Sequence, residues 1–314
     1  MNWYIKNLEG ENIGVSTTGR DGEDIDLLTD SKKPKVIIPE GTYFTSFDYI
    51  YNKHSSLLEG IKKLPFRVIN KHLWLYKSLG SVEIEIVGPT SLKEQVDLIS
   101  IFENYGCKII IFDGALDRKS ISLSEKITDI VLVIGASAGS INEIKNQAQI
   151  IKSFTKFEKI CFENIFHTYA NQNLLRKTIG STITYFLDDK IIETDLNSIY
   201  SNESLIIDIL SKNPEWIYFS GAMTDLSWKK LKNNMLDYKG KIIFQHPLNI
   251  NIGLNDIVTL ADSQKIFVKN HFPITAVAVN SYSPRNEHID AEILRNEIME
   301  IFTDLPVLDV RESI

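Results

Sequence analysis

The sequence lacks the motifs of several common enzyme classes. Only two of its 314 residues are cysteine, Cys107 and Cys161, and neither belongs to a C-x-x-C pair, so there is no zinc signature and no disulfide framework. The six histidines show neither H-x-x-x-H nor H-E-x-x-H spacing, and no G-x-S-x-G elbow occurs. The phosphate-binding loop G-x-x-x-x-G-K-[ST] is also absent from these residues. We expect both cysteines to be buried thiols in a reducing compartment.

Long apolar runs and an excess of positive charge are also lacking. No apolar stretch reaches the roughly 20 residues that a membrane-spanning helix needs. The first residues, Met1–Lys6, have neither the basic start nor the apolar centre of a signal peptide. The net charge of −7 argues against nucleic acid or an anionic membrane as the main partner, although a local basic patch stays open. These features predict a cytoplasmic protein.

Short apolar strands alternate with amphipathic helices along the chain. Strands are predicted at Ile109–Phe112 and Ile130–Ile134, and a helix is predicted from Ser140 toward Phe154. This alternation predicts an α/β fold, a mostly parallel sheet with helices on both faces. We assign residues 1–150 to a nucleotide-binding-type α/β region. Residues 151–314 form a second α/β region, either separate from the first or continuous with it.

The clearest candidate for a functional residue is Asp113. Four apolar residues precede it, which predicts a strand buried on both faces, and Gly114 follows it. In parallel sheets, ligands bind beyond the carboxyl ends of the strands. A carboxylate at that place can hold Mg²⁺ beside nucleotide phosphates, or it can simply cap the next turn.

Two further segments follow predicted strands. The small-residue turn from Gly135 through Ser137 to Ser140 either presents backbone N–H groups to an anion or allows close packing of strand and helix. Asn280 follows the predicted strand Ala276–Val279 and either reads a nucleobase edge or forms a turn. Both alternatives stay open for each segment.

The stretch from residue 16 to residue 24 is rich in polar residues and comes directly after a predicted strand. It contains Thr18, the anion-binding side chain of Arg20, and the carboxylates of Asp21 and Glu23. The carboxylates are potential metal ligands. The alternative is an exposed polar loop without a ligand.

Three runs of the sequence together resemble one known family. They are IGVSTTGRDGEDID at 13–26, KPKVIIPEGT at 33–42 and FDGALDRKS at 112–120. They are similar to the non-MutS-like subunit of the reactivase of the cobalamin-dependent lysine 5,6-aminomutase, a protein of anaerobic amino-acid fermentation and lysine degradation. The resemblance extends through VNSYSP at 279–284 and LDVR at 308–311.

The resemblance implies a P-loop NTPase-like fold that here lacks its first strand and phosphate loop. Family members begin with a strand, a loop ending in Gly-Lys-Thr and a helix, and Met1–Leu8 matches only that helix. Loss of the central strand predicts two unpaired edges inside the sheet. We therefore expect Met1 to be an internal methionine and the native chain to begin about 20–40 residues earlier, the length of one strand–loop–helix unit.

The resemblance also implies a function and roles for the candidate residues. The chain would be an accessory subunit that helps a MutS-like ATPase subunit to reactivate the aminomutase, through a nucleotide-linked conformational cycle. Asp113 would place Mg²⁺, Asp21 and Glu23 would be catalytic residues that position water or metal, and Arg20 would contact phosphate. Thr18, Gly135, Ser137 and Asn280 complete the expected nucleotide-binding set.

The resemblance also implies cofactors, and two other functions are alternatives to it. ATP and Mg²⁺ are expected only if the upstream phosphate loop exists, and no tightly bound cobalamin is expected. One alternative is a nucleotide-independent module that binds the mutase or the partner subunit. Another is an ATP-dependent ligase-type enzyme for small molecules that uses the strand-end carboxylates.

Overall fold

The structure is a computed structural model with an α/β architecture. It describes residues 1–8, 10–21, 36–114, 124–160, 182–282 and 289–309. These residues fall into two compact units. The first covers 1–127 with 282–288 and 309–314, and the second covers 128–281 with 289–308. The division after Ile127 lies inside the region 1–150 that the sequence pattern groups together.

The first unit is built on a five-stranded mixed sheet in the order β5-β6-β4-β1-β9. Strand β1 is parallel to β4 and β9, whereas β6 is antiparallel to β4 and β5. Two short antiparallel pairs, β2–β8 and β3–β7, complete the strands. The bounds are β1 (Ile13–Thr17), β2 (Gly19–Asp21), β3 (Val36–Ile38), β4 (Tyr43–Phe47), β5 (Leu58–Val68), β6 (Lys71–Ser78), β7 (Val82–Ile84), β8 (Ile86–Gly88) and β9 (Ile109–Asp113), with helices α1 (Asn2–Lys6), α2 (Tyr49–His54) and α3 (Leu92–Asn104).

Local sequence signals explain the helices of this unit. Helix α3 begins after Ser91, whose side chain accepts a hydrogen bond from the backbone N–H of Glu94. Its buried face, which includes Leu98 and Phe102, packs in a cluster with Leu73 and Leu75 of β6. Helix α1 buries Ile5 in a second cluster. The prediction of a helix over Met1–Leu8 is confirmed at Asn2–Lys6.

Two expectations about the first sheet are wrong. Strand β9 is half-buried along all five residues instead of buried on both faces, because it lies at the end of the sheet order and pairs only with β1 among the described strands. The expected unpaired edges inside the sheet are also not found in the described part of the chain, because β1 pairs directly with both β4 and β9.

The second unit contains a six-stranded sheet in the order β11-β18-β16-β14-β12-β13 and a three-stranded sheet in the order β10-β19-β20. Strands β11, β18, β16 and β14 run parallel, and β12 is antiparallel to its neighbours. The bounds are β10 (Ile130–Gly135), β11 (Glu158–Lys159), β12 (Thr184–Leu187), β13 (Lys190–Glu193), β14 (Trp216–Phe219), β15 (Met223–Thr224), β16 (Lys241–Phe244), β17 (Ile250–Asn251), β18 (Ile266–Val268), β19 (Ile274–Asn280) and β20 (Val307–Asp309), with helices α4 (Ile141–Phe154), α5 (Glu203–Ser211), α6 (Asp225–Asp237), α7 (Leu254–Asp262) and α8 (Ala291–Ile301).

Parallel strands joined by helices dominate the core of this unit. Strands β14, β16 and β18 lie side by side, and helices α6 and α7 lie between them in the chain. Strand β14 is buried at every position, as expected for an interior strand of a parallel sheet. The predicted mostly parallel sheet with helices is thus observed as an α/β fold with several sheets, some parallel and some mixed.

Candidate functional site

The residues singled out from the sequence fall into two groups, one in each unit. Thr18, Asp21 and Asp113 belong to the first unit together with Arg20, whereas the residues of the second group all belong to the second unit. Glu23 lies outside the described residues. Arg20 and Asp21 lie in β2, where the structure describes their main chain. Within the stretch 16–24, for which an exposed polar loop is one alternative, Gly19–Asp21 forms a strand.

The carboxyl ends of β1 and β9 bring Thr17, Thr18 and Asp113 together. The parallel register pairs Thr17 with Asp113. The carbonyl oxygen of Asp113 accepts hydrogen bonds from the Thr17 hydroxyl and from the Thr18 backbone N–H, each over 2.9 Å. These two bonds fix the main chain of Asp113 and leave its half-buried side chain at the strand end, the place where open α/β sheets bind ligands.

Strand β8 approaches this strand end closely, and only glycine permits it. A Cβ atom on Gly88 would lie 1.8 Å from the carbonyl oxygen of Thr17 and 2.4 Å from the Ser16 hydroxyl. Gly19, with a φ of +85°, turns the chain from β1 into β2, which then pairs with β8. The two glycines therefore hold the backbone after β1 between β8 and β9.

Gln95 is the residue of this site that the sequence interpretation missed. It is fully buried in the first turns of α3, and its amide nitrogen donates to the Pro89 carbonyl over 2.8 Å and to the Thr18 hydroxyl over 3.2 Å. Its amide oxygen is buried and has no hydrogen-bond partner within the described residues. The sequence does indicate that Gln95 is buried, because the helical period places it on the same face of α3 as Leu98 and Phe102.

The prediction that Asp113 places Mg²⁺ can be compared with the side chains that the structure describes. Within the described ranges no group of three or more histidine, cysteine, aspartate or glutamate side chains could hold a metal ion. Mg²⁺ is commonly held by one or two carboxylates together with phosphate oxygens and water. Placement of Mg²⁺ by Asp113 stays a prediction.

The second group consists of Gly135, Ser137 and Asn280, which the structure places at neighbouring strand ends. Strands β10 and β19 are parallel and pair Gly135 with Asn280. A short 3-10 turn, Ala136–Ala138, follows β10 directly. A Cβ atom on Gly135 would lie 3.5 Å from the Ser137 hydroxyl and 3.9 Å from the Asn280 carbonyl oxygen. The three residues thus share one end of this small sheet.

The beginning of α4, next to that turn, is already occupied by a carboxylate. The Ser140 hydroxyl accepts from the Glu143 backbone N–H, and a Glu143 carboxylate oxygen accepts from the Ser140 backbone N–H over 2.8 Å. Hydrogen bonds from the side chain and then the backbone of Ser140 lower the pKa of Glu143 below its usual 4.5. A carboxylate at this place competes with an external anion for the same N–H groups. This favours the packing interpretation of the turn, and ligand binding by Gly135 and Ser137 stays a prediction.

Comparison with protein-family models, with curated proteins and with solved structures finds no match for this chain. None of the helices in the described ranges has the length and apolar character required to span a bilayer.

Proposed function

We propose that this chain is an accessory subunit of a reactivating factor for a cobalamin-dependent amino-acid aminomutase and works through a nucleotide-linked conformational cycle in the cytoplasm. The proposal rests on the resemblance of residues 13–26, 33–42 and 112–120 to the reactivase subunit. One structural observation supports it: Thr17, Thr18 and Asp113 are joined at the carboxyl ends of two parallel strands.

Each residue of this strand end has a role in the proposal. The Asp113 carboxylate would hold Mg²⁺ on a nucleotide, and the bonds from Thr17 and Thr18 would fix the main chain that carries this carboxylate. Bound Mg²⁺ would supply charge neutralisation to the phosphates. Arg20 would contact a phosphate, and Asp21 with Glu23 would position water or metal. Ligand binding by Gly135, Ser137 and Asn280, which belong to the second unit, is a separate proposal.

The cycle would do work only if the nucleotide binds two conformations with different affinity. Nucleotide affinity and affinity for the aminomutase would then be coupled, and each ligand would change the affinity for the other by the same factor. A MutS-like ATPase subunit is the proposed second partner. In this scheme the damaged cobalamin leaves the mutase, and this chain does not retain it.

A second candidate is a module that binds the mutase without any nucleotide. Two observations favour it: the sequence contains no phosphate-binding loop, and Glu143 already occupies the start of α4. The two candidates differ in whether Asp113 and ATP matter for the action on the mutase.

The test is release of inactive corrinoid from lysine 5,6-aminomutase. The mutase is loaded with hydroxocobalamin and incubated with this chain and the MutS-like subunit, with and without ATP and Mg²⁺. Free corrinoid is then separated by filtration and measured by its absorbance. We expect release to require this chain and ATP, and to fall at least tenfold with Asp113→Asn.

Asp129→Asn is the matched control, because it removes the same charge from an exposed residue just before β10 begins. It should release corrinoid at the original rate. ATP-independent release that Asp113→Asn leaves intact would establish the binding module instead. No release under any condition would disprove a role in reactivation.

A further inference from the structure

Three polar residues follow three adjacent parallel strands of the second unit. Strands β14, β16 and β18 are aligned so that Phe219 pairs with Phe244 and Phe244 with Val268. The residue that follows the end of each strand is polar: Ser220, Gln245 and Lys269. Because neighbouring strands lie roughly 4.8 Å apart, the three form a row about 10 Å long at the carboxyl edge of the sheet.

The register places this row on one face of the sheet. Side chains two residues apart in a strand share a face, so Ser220 follows Tyr218 and Gln245 follows Ile243, both of which belong to one apolar cluster. A hydrogen bond of 2.8 Å from the Tyr218 hydroxyl to the Gln245 amide oxygen confirms the alignment. With its oxygen engaged, the Gln245 amide offers its N–H groups to a ligand.

The Ser220 hydroxyl is left without a partner. Its oxygen is inaccessible to solvent and makes no hydrogen bond within the described residues. A buried polar group without a partner costs about 1–3 kcal/mol, so such groups require an explanation. A ligand that accepts from this hydroxyl supplies one, once rotation about the Cα–Cβ bond of this half-buried residue turns the oxygen toward the surface.

The same edge carries a further lysine, which lies on the opposite face of the sheet from the row. Strand β11 ends at Lys159, which pairs with Val268 at the end of β18. Burial and then the charge of Lys159 lower the pKa of His271, which follows two residues after Lys269. The acid on a neighbouring segment, Asp225, accepts a hydrogen bond of 2.9 Å from the backbone N–H of Gly253.

We infer that the carboxyl edge of β14, β16 and β18 binds the oxyanion group of a small molecule, a phosphate or a carboxylate. The Ser220 hydroxyl and the Gln245 amide donate hydrogen bonds to its oxygens, and the Lys269 ammonium neutralises its charge. This site belongs to the second unit and does not depend on the proposed role of Asp113.

Calorimetric titration of the full chain at constant ionic strength tests the inference, with inorganic phosphate, pyrophosphate and citrate as probes. We expect at least one probe to bind, and Lys269→Met to weaken its affinity at least tenfold. The matched control is Lys241→Met, which removes a lysine from the opposite, amino end of β16 and should leave the affinity unchanged. Binding of the phosphates but not citrate assigns a phosphate site, and the reverse assigns a carboxylate site.

Ser220→Ala separates a binding role from a structural one. We expect this variant to bind the probe three- to tenfold more weakly while its urea midpoint without probe stays the same or rises. If the hydroxyl has only a structural role, its loss would instead lower the urea midpoint and leave the affinity for the probe unchanged. The inference is overturned by that result, by the absence of binding of all three probes, or by equal losses in Lys269→Met and Lys241→Met.

Discussion

The side-chain amide of Gln95 donates a hydrogen bond to the hydroxyl of Thr18 across 3.2 Å, although the two residues are 77 positions apart. The same nitrogen donates to the Pro89 carbonyl, so one buried amide connects the end of β1, the loop after β8 and the start of α3. Because the Thr18 backbone N–H in turn donates to the Asp113 carbonyl, the geometry of the candidate site depends on a residue that touches no ligand in the proposal.

Gln95→Leu should therefore destabilise the protein. It leaves the Pro89 carbonyl without its donor in a fully buried place, a loss of about 1–3 kcal/mol in the free energy of unfolding. Urea denaturation followed by circular dichroism measures it. Gln149→Leu, on the exposed side of α4, is the control and should change the free energy by less than about 0.5 kcal/mol. Equal stability of the two variants would contradict this role for Gln95.

Gly88→Ala should strongly destabilise the protein. The added methyl group would lie 1.8 Å from the Thr17 carbonyl oxygen, so backbone must shift, and we expect a loss of about 3 kcal/mol or more. Gly60→Ala in β5 is the control, since its nearest atom is Tyr76 Cε1 at 3.8 Å. A thermal melt compares the two variants, and equal melting temperatures would disprove the close approach of β8 to β1.

Ser140→Ala should raise the pKa of Glu143 toward 4.5. The two hydrogen bonds from Ser140 favour the charged carboxylate, and the larger of them, from the side chain, is lost with the hydroxyl. Because the folded pKa lies below the usual value, the stabilisation by Glu143 is complete above pH 4.5. It disappears as the pH falls through the folded pKa.

Carbon-13 NMR titration of the Glu143 carboxyl group measures this shift. Ser140→Thr keeps a hydroxyl in the same place and should keep the pKa low. A pKa in Ser140→Ala that equals the value in the unaltered protein would show that the capping interaction is not formed in solution.

Cys107 should react slowly with thiol reagents in the folded protein. Burial raises the pKa of its thiol to about 11, and within the described residues it forms no disulfide. The reactive thiolate is then roughly a thousandth of the total at pH 8. Mass spectrometry of the Cys107 peptide after iodoacetamide treatment measures labelling, with the urea-unfolded protein as the reference. Labelling at the unfolded rate would contradict the burial of this residue.

Local patterns account for most of the helices and short strands. The β12–β13 hairpin follows such a local pattern, with two apolar runs joined at Asp188 and Asp189, whose φ angles are 50° and 59°. The turn at Ile69 and Asn70 has similar angles, yet the local sequence pattern does not predict the β5–β6 hairpin. Its alternation is interrupted by register shifts after Gly60 and Lys63, so the apolar residues do not follow one simple period.

The candidate site could be predicted only in part. The residue types are visible in the local sequence, whereas the register between paired strands depends on residues far apart in the chain. An apolar run before Asp113 indicates a strand, but only pairing with β1 decides that this strand stands at the end of the sheet. The hydrogen bonds from Thr17 and Thr18 to Asp113 depend on that same pairing. The buried position of Gln95 is visible in the helical period, whereas its contact with Thr18 is not.

The pairing of β1 with β9 also sets an order of events during synthesis. Thr17 and Asp113 are 96 residues apart, so on the ribosome roughly 5–20 seconds pass between them at about 5–20 residues per second. During that time β1 can pair with β4, which follows soon after it in the chain, while the other edge of β1 stays unpaired. We expect nascent chains that stop before β9 to aggregate through that open edge, and chains that extend past it to become resistant to protease.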